Sequence, residues 1–132
     1  MSGGESSLHL QIQNGLMGYL KREGFEVFSA ADRTGYSPCE EINGRAPDMM
    51  GKNPQGLIAI GEAKTCEDLN NEVTNDRFTI FSNCFVNTGK AQGQMCPFYI
   101  GIPKSCINGL RQNLAKLGLS EKTNVRIIYF EI

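Results

Sequence analysis

A short apolar run that ends in two charged residues places the strongest constraint on the fold of this chain. The run extends from Leu57 to Gly61 and continues into Glu62 and Lys64. Branched apolar residues at this density predict a β-strand, and charged side chains are costly to bury unless they are paired or bind an ion. Alternate side chains of a strand share a face. We therefore expect Glu62 and Lys64 on one face, at the rim of the sheet rather than in its core.

The opposite face of the same strand is formed by small residues. Ala59, Gly61 and Ala63 follow Leu57 at every second position, which is the side-chain period of a strand. Small side chains let a helix approach the sheet closely. We therefore expect a helix to pack against this face.

Periodicity along the chain predicts the element order αβββαβαβ. The predicted helices are 8–23, 77–95 and 104–117, and the predicted strands are 25–30, 46–51, 57–64, 96–103 and 124–132. A turn at 52–56 makes the second and third strands a hairpin. Strands separated by helices favour crossover connections and a mixed sheet with helices on both faces. We predict an α/β fold in a single domain, 8–132, after a disordered leader, 1–7.

Two further segments carry expectations of their own. Residues 31–46 have turn residues and no apolar period, so this long loop is either a substrate lid or plain disorder. Phe78, Phe81 and Phe85 recur at helical spacing, which predicts core packing on one helical face.

The cysteines and the single histidine indicate no metal or disulfide framework. The five cysteines are Cys39, Cys66, Cys84, Cys96 and Cys106. Their number is odd and their spacing is wide, so we expect reduced, structural thiols in a cytoplasmic protein. His9 is expected to be an ordinary helix residue. No apolar run is long enough to span a membrane.

The charge balance limits how the chain could bind a nucleic acid. Thirteen basic residues face 14 acidic ones, for a formal net charge of −1. Proteins that contact many phosphates usually carry a basic excess. Binding would therefore depend on a local patch, for which the basic candidates are Lys21, Arg22, Arg33, Arg45 and Lys52.

The predicted hairpin brings a second carboxylate towards Glu62. Asp48 lies just before the strand that pairs with the Glu62 strand, so the turn can return it beside Glu62. Two carboxylates and a backbone carbonyl, such as that of Ala63, are hard oxygen ligands of the kind Mg²⁺ accepts. Lys64 would then face a metal-bound water or a phosphate.

These residues carry a resemblance to a known group of enzymes. Pro47 and Asp48, followed after a turn by the Gly61–Lys64 segment "GEAK", resemble the PD-(D/E)xK nuclease motif. The element order is similar to the restriction endonuclease-like fold, and the layout is similar to small Holliday junction resolvases. The resemblance implies that Asp48 and Glu62 bind Mg²⁺ or Mn²⁺, with Ala63 as a carbonyl ligand, and that Lys64 is catalytic.

Some positions depart from the pattern of that group. Many members place a further glutamate in the first helix, where this chain has no carboxylate. Neutral Gln11 or Gln13 could substitute, or Glu40 and Glu41 from the long loop could reach the site. For the substrate, the resemblance suggests Arg77 as a phosphate contact.

Other substrate-binding candidates are Arg45, Lys52 and Ser29, with Gln92 and Gln94 as weaker ones. A solvated surface charge, or a hydroxyl group at a strand end in the case of Ser29, is the alternative for each of them.

Two functions of different classes follow. The first is a Mg²⁺-dependent nuclease that acts on DNA, as a homodimer in the manner of resolvases, or with targeting supplied by a partner protein. The second is a domain of the same fold that has lost catalysis and binds nucleic acid or protein. A nucleotide-binding protein is disfavoured because the chain has no phosphate-binding glycine loop.

Overall fold

The computed structural model of the chain describes residues 3–132, with side chains from Ser7 onward. The helices are α1 (Gly3–Arg22), α2 (Glu72–Ser82) and α3 (Ile107–Lys116). The strands are β1 (Glu26–Ala30), β2 (Met49–Lys52), β3 (Ile58–Ala63), β4 (Phe98–Pro103) and β5 (Val125–Phe130). The predicted order αβββαβαβ and the α/β class are therefore confirmed.

The five strands form one mixed sheet in the order β1-β2-β3-β4-β5. The first three are antiparallel neighbours, and β4 and β5 continue the sheet in parallel with β3. The predicted hairpin is the β2–β3 pair, in which Met49 lies opposite Gly61. At the turn, the Asn53 side chain accepts hydrogen bonds from the backbone N–H groups of Gln55 and Leu57. This local bonding fixes the register that aligns the two ends of the hairpin.

Helix α1 covers one face of the sheet, against the small residues of β3 and β4. A Cβ atom added at Gly61 would lie 2.6 Å from Cγ of Met49 and 3.3 Å from Cδ2 of Leu16, and one at Gly101 would lie 3.3 Å from Ile12. These distances leave no room for a side chain. The expectation that a helix packs on the small face is confirmed.

The predicted leader overlaps this helix. Helix α1 begins at Gly3, and residues 1–2 lie outside the part of the chain that the structure describes. Within residues 3–132, no helix is both long and apolar enough to cross a membrane.

Helices α2 and α3 cover the other face of the sheet. Phe78 and Phe81 of α2 are fully buried and contact the Phe98 ring edge to face, with ring centroids 5.9 and 5.7 Å away. The predicted third member of this stripe, Phe85, is 52% exposed. That part of the prediction was wrong because α2 ends at Ser82, before Phe85 could continue the helical face.

Polar side chains set the limits of α2. The side chain of Asn71 accepts a hydrogen bond from the Thr74 backbone N–H at 2.8 Å, which is an N-cap. At the other end, the buried Asn124 amide donates to the carbonyl of Ser82 at 2.9 Å and to that of Cys96 at 3.1 Å. The helix is therefore 72–82 rather than the predicted 77–95, and residues 83–97 form an irregular excursion of the chain between α2 and β4.

The expectation of five reduced cysteines was wrong for two of them. Cys66 and Cys106 form a disulfide, with Cα atoms 5.4 Å apart. Each lies in a short 3₁₀ turn that follows a strand. Two residues separate β3 from the turn that begins at Cys66, and the turn that ends at Cys106 directly follows β4. Because β3 and β4 are parallel neighbours, the turns that follow them meet at the same edge of the sheet. Cys39, Cys84 and Cys96 are free.

The long loop 31–46 lies along the edge of the sheet. The backbone N–H of Ala30 donates to the backbone carbonyl of Ser37, and that of Ala31 donates to the backbone carbonyl of Asp48. Ile42 and Arg45 form a local bridge around a tight turn. The loop therefore has defined backbone partners, and its first residue is hydrogen-bonded to Asp48, directly before β2.

The close approach of α1 predicts that Gly61 tolerates no side chain. Gly61→Ala should lower the free energy of unfolding by about 1–3 kcal/mol, because the buried Met49 and Leu16 must move. Chemical denaturation measures the change. The matched control is Gly109→Ala in α3, where a new Cβ meets only Leu69 at 3.7 Å, so stability should rise by up to about 1 kcal/mol. Equal effects of the two substitutions would contradict the packing argument.

Candidate active site

Two carboxylates meet where the β2–β3 hairpin ends. The backbone N–H of Asp48 donates to Oε1 of Glu62 at 3.0 Å, and the backbone N–H of Ala63 donates to Oδ2 of Asp48 at 2.8 Å. Each side chain therefore binds the backbone of the opposite chain segment, just beyond the last paired residues of the ladder. The sequence analysis predicted this approach from the hairpin turn. The two hydrogen bonds between the segments hold both carboxylates in place.

Glu62 is fully buried, so its predicted position at the rim was wrong. Arg77 of α2 binds its carboxylate with two donors, from Nε to Oε2 and from Nη2 to Oε1, both at 3.0 Å. The same Nη2 also donates to the carbonyl of Ala46. A bidentate pair of this kind is among the stronger hydrogen-bonded contacts in proteins. Arg77, proposed from the sequence as a phosphate contact, is thus engaged with Glu62.

Lys64 lies on the same side of β3 as Glu62, as the alternation predicted. Its Nζ is 3.6 Å from Oε2 of Glu62, and its side chain is 14% exposed. Lys64 is therefore more accessible to solvent than Glu62, and it lies between the buried carboxylate and the solvent.

Burial has the largest effect on the pKa of Glu62. Loss of solvent, together with the negative charge of Asp48, raises the pKa of Glu62 to about 7, and this outweighs the opposing effects of Arg77 and Lys64. A carboxyl group of this kind gains or loses its proton near neutral pH.

His9 reaches the site from α1, which the sequence analysis did not predict. Its Nε2 lies 3.4 Å from Oδ2 of Asp48. The hydrogen bond with Asp48 raises the pKa of His9 by more than burial of the ring lowers it. A signal was present in the sequence, because His9 precedes Ile12 and Leu16 by three and seven residues and so shares their sheet-facing side of the helix.

The proposed substitutes for a glutamate in α1 do not reach the carboxylates. Gln13 is buried and donates to the carbonyl of Ala31 at 3.1 Å, while Gln11 is exposed. Glu40 and Glu41 line a separate cavity with Cys84 and Cys96. Among the described side chains of α1, His9 is the one with a polar contact to a carboxylate of the pair.

The other predicted substrate residues lie apart from the carboxylate pair. Arg45 forms an ion pair with Asp76 at 2.9 Å. Lys52 is exposed at the opposite end of β2 from Asp48, about 13 Å along the strand. Ser29 is buried and its hydroxyl donates to the Cys39 sulfur at 3.3 Å.

A depression of about 460 Å³ opens beside Asp48. His9 and Gln13 line it from α1, and Asp32 and Asp68 join Asp48 on its other sides. With three aspartates around it, this space repels a phosphate group unless a cation intervenes.

The donor atoms suit a metal ion with few protein ligands. Among the described residues, no three His, Cys, Asp or Glu side chains are grouped to hold a metal ion by themselves. Over residues 7–132, the Asp48 side chain has two polar contacts, from the Ala63 N–H and from His9, and both are to Oδ2. No hydrogen bond reaches its Oδ1. Glu62 retains one acceptor site on Oε2. Mg²⁺ commonly binds through one or two carboxylates and keeps several waters, so this donor set fits one ion.

Fold and site together define an α/β protein with a mixed sheet and with two carboxylates and a lysine at the end of a hairpin. Comparison with protein-family models, with curated proteins and with solved structures finds no match for this chain. The resemblance to the PD-(D/E)xK nucleases therefore rests on the residues and on the element order.

The raised pKa of Glu62 predicts a pH-dependent stability. The folded protein holds this proton up to about pH 7, whereas an unfolded glutamate releases it near its ordinary pKa of 4.5. The contribution of Glu62 is therefore fully present at low pH and is lost as pH rises through about 7, by roughly 3 kcal/mol in total. Urea unfolding in chelator-containing buffers between pH 4 and 9 measures it.

Two variants assign that effect. Glu62→Gln should remove the part of the pH dependence that comes from Glu62, and the difference from the wild-type curve isolates it from all other groups. Glu121→Gln makes the same chemical change at an exposed position and should leave the curve unchanged. Parallel curves for wild type and Glu62→Gln would disprove the assignment.

Proposed function

We propose that this chain is a nuclease of the PD-(D/E)xK type that hydrolyses DNA phosphodiester bonds with Mg²⁺ or Mn²⁺. The observation that carries the proposal is the convergence of three residues. Asp48 and Glu62 are joined through the backbone of the hairpin, and Nζ of Lys64 lies 3.6 Å from Glu62. The motif residues that the resemblance singled out are thus neighbours in space.

Asp48 and Glu62 are the side chains that would hold the metal ion. The carbonyl of Ala63 is the third oxygen, since the backbone N–H of the same residue faces Asp48 and both groups of a strand residue point to the same side. A metal ion held there would supply Lewis-acid polarisation of the phosphate and a lowered pKa for a water that it coordinates.

The remaining residues position groups and charge. Lys64 supplies a partly exposed ammonium group beside the carboxylates, suited to orient the attacking water or to stabilise negative charge that develops on the phosphate oxygens. Arg77 is a positioning residue, because its two hydrogen bonds fix the plane of the Glu62 carboxylate. His9 holds Asp48 from the side of α1.

The charge distribution favours a substrate held by few phosphate contacts. The chain has a net charge of −1, and aspartates surround the depression beside Asp48. We propose that the protein selects DNA by its shape, as resolvases do, rather than by contacts with many phosphates. Paired cuts on a branched DNA need two sites, so a homodimer is part of this proposal, and a targeting protein is the alternative way to reach the substrate.

Cleavage of defined DNAs tests the proposal. Labelled linear, nicked, single-stranded and four-way-junction DNAs are incubated with the protein and Mg²⁺, Mn²⁺ or EDTA. We expect metal-dependent cutting that Lys64→Ala lowers by at least about 100-fold, since the lysine acts on charge in the transition state. The matched control is Lys52→Ala, which removes the same charge at the far end of β2 and should retain most of the activity.

Two results would count against the nuclease. The first is the absence of cutting on every DNA by a folded wild-type protein. The second is equal loss of activity in Lys64→Ala and Lys52→Ala, which would indicate general phosphate attraction rather than a role in the site.

One observation favours a second candidate, a binding domain of the same fold without catalysis. Arg77 engages both oxygens of Glu62, which leaves little of that carboxylate for a metal. Calorimetric titration with Mn²⁺ separates the two functions. Binding that is lost in Asp48→Asn supports the nuclease, whereas no binding to the wild type, together with no cleavage, supports the binding domain.

A further inference from the structure

A pair of free cysteines lies at the base of the excursion between α2 and β4. The sulfur atoms of Cys84 and Cys96 are 3.5 Å apart. The backbone N–H of Cys96 donates to the carbonyl of Cys84 at 2.9 Å, and the next residues, Phe85 and Met95, form an isolated antiparallel bridge. The two cysteines are therefore cross-strand neighbours and form one dithiol.

The backbone at this pair already suits a disulfide. Directly opposed residues in an antiparallel pair have Cα atoms about 4.5–5.5 Å apart, and disulfides span about 4.4–6.8 Å. The sulfur atoms need to approach by about 1.5 Å to reach bonding distance, which a side-chain rotation can provide. The Asn124 amide binds the carbonyls of Ser82 and Cys96. It thereby links the end of α2, two residues before Cys84, to the backbone of Cys96.

The two thiols differ in access and in acidity. Both cysteines line an open cavity of about 380 Å³, but Cys84 is partly exposed whereas Cys96 is buried. The hydrogen bond from the Cys96 thiol lowers the pKa of Cys84 to about 7. The same contact, with burial, raises the pKa of Cys96. An accessible thiol of low pKa is the attacking partner in thiol–disulfide exchange, and a buried neighbour is suited to resolve the product.

We propose that Cys84 and Cys96 are a redox-active dithiol, which a small disulfide of the glutathione class converts to an intramolecular disulfide. The Cys84 thiolate attacks one sulfur of that disulfide, forms a mixed disulfide and releases one small thiol. Cys96 then gives up its proton and attacks the Cys84 sulfur, which releases the second small thiol. The two cysteines are oxidised by two electrons and the small disulfide is reduced to two thiols.

This inference does not depend on nuclease activity, because it uses none of the residues around Asp48 and Glu62. Its structural consequence is local. Closure would tie the two ends of the 85–95 segment covalently. The buried Cys39 would then be the remaining free thiol, since Cys66 and Cys106 already form a disulfide.

The test is the reaction of the folded, full-length chain with oxidised glutathione. The reaction is quenched with acid, thiols are counted under denaturing conditions, and disulfides are located by peptide mass mapping. We expect the loss of two thiols, a Cys84–Cys96 linkage and no retained glutathione. Cys96→Ser should stop the reaction at a stable glutathione adduct on Cys84, and Cys39→Ser should close the disulfide as the wild type does.

Three results would overturn the proposal. One is a wild-type protein that keeps both thiols after prolonged exposure, with no adduct. Another is an adduct that persists on Cys84 while Cys96 is intact, since Cys96 would then not resolve it. The last is a linkage that joins Cys39 to either cysteine.

Discussion

Glu62 is a carboxylate without solvent contact, held in β3 by the guanidinium of Arg77 from α2. Its position is possible because several donors replace the lost water, namely two from Arg77 and the backbone N–H of Asp48, with Lys64 nearby. Arg77 also binds the carbonyl of Ala46, at the end of the long loop. Loss of one partner of such a buried pair costs about 3–5 kcal/mol. The pair thus joins the sheet, α2 and the loop.

The same contacts limit what the site can do. Each hydrogen bond that compensates Glu62 also uses a lone pair that a metal ion would need, and burial raises the pKa of the carboxyl to about 7. Asp48 is more accessible and keeps Oδ1 without a hydrogen bond among residues 7–132. The two carboxylates are therefore unequal, with Asp48 available to a ligand and Glu62 mainly anchored. Asp48 is thus the carboxylate that would hold a metal ion, whereas Glu62 could do so only at the expense of its contacts with Arg77.

The element order, the hairpin and the two faces of β3 could be predicted because they depend on local periods and turn residues. Gly61 and Lys64 lie on the sides that simple alternation assigns to them. The burial of Glu62 could not be predicted, since it depends on Arg77 of α2, a helix that spans 72–82 rather than the 77–95 indicated by its apolar period. The Cys66–Cys106 disulfide was missed for a similar reason. Its two cysteines follow strands that are parallel neighbours in the sheet. The spacing of the cysteines along the chain does not indicate that these strands are neighbours.

The charges around the site determine what can approach it. Lys64 and Arg77 both face Glu62, and His9 faces Asp48. Asp32 and Asp68 add negative charge around the depression beside Asp48. A phosphodiester entering there meets a net negative surface, and the Coulomb repulsion between unit charges a few ångströms apart amounts to about 4 kcal/mol near a protein surface. A divalent cation between Asp48 and the phosphate would reverse the sign of that interaction. Without such a cation, the three aspartates around the depression would oppose the approach of a phosphodiester.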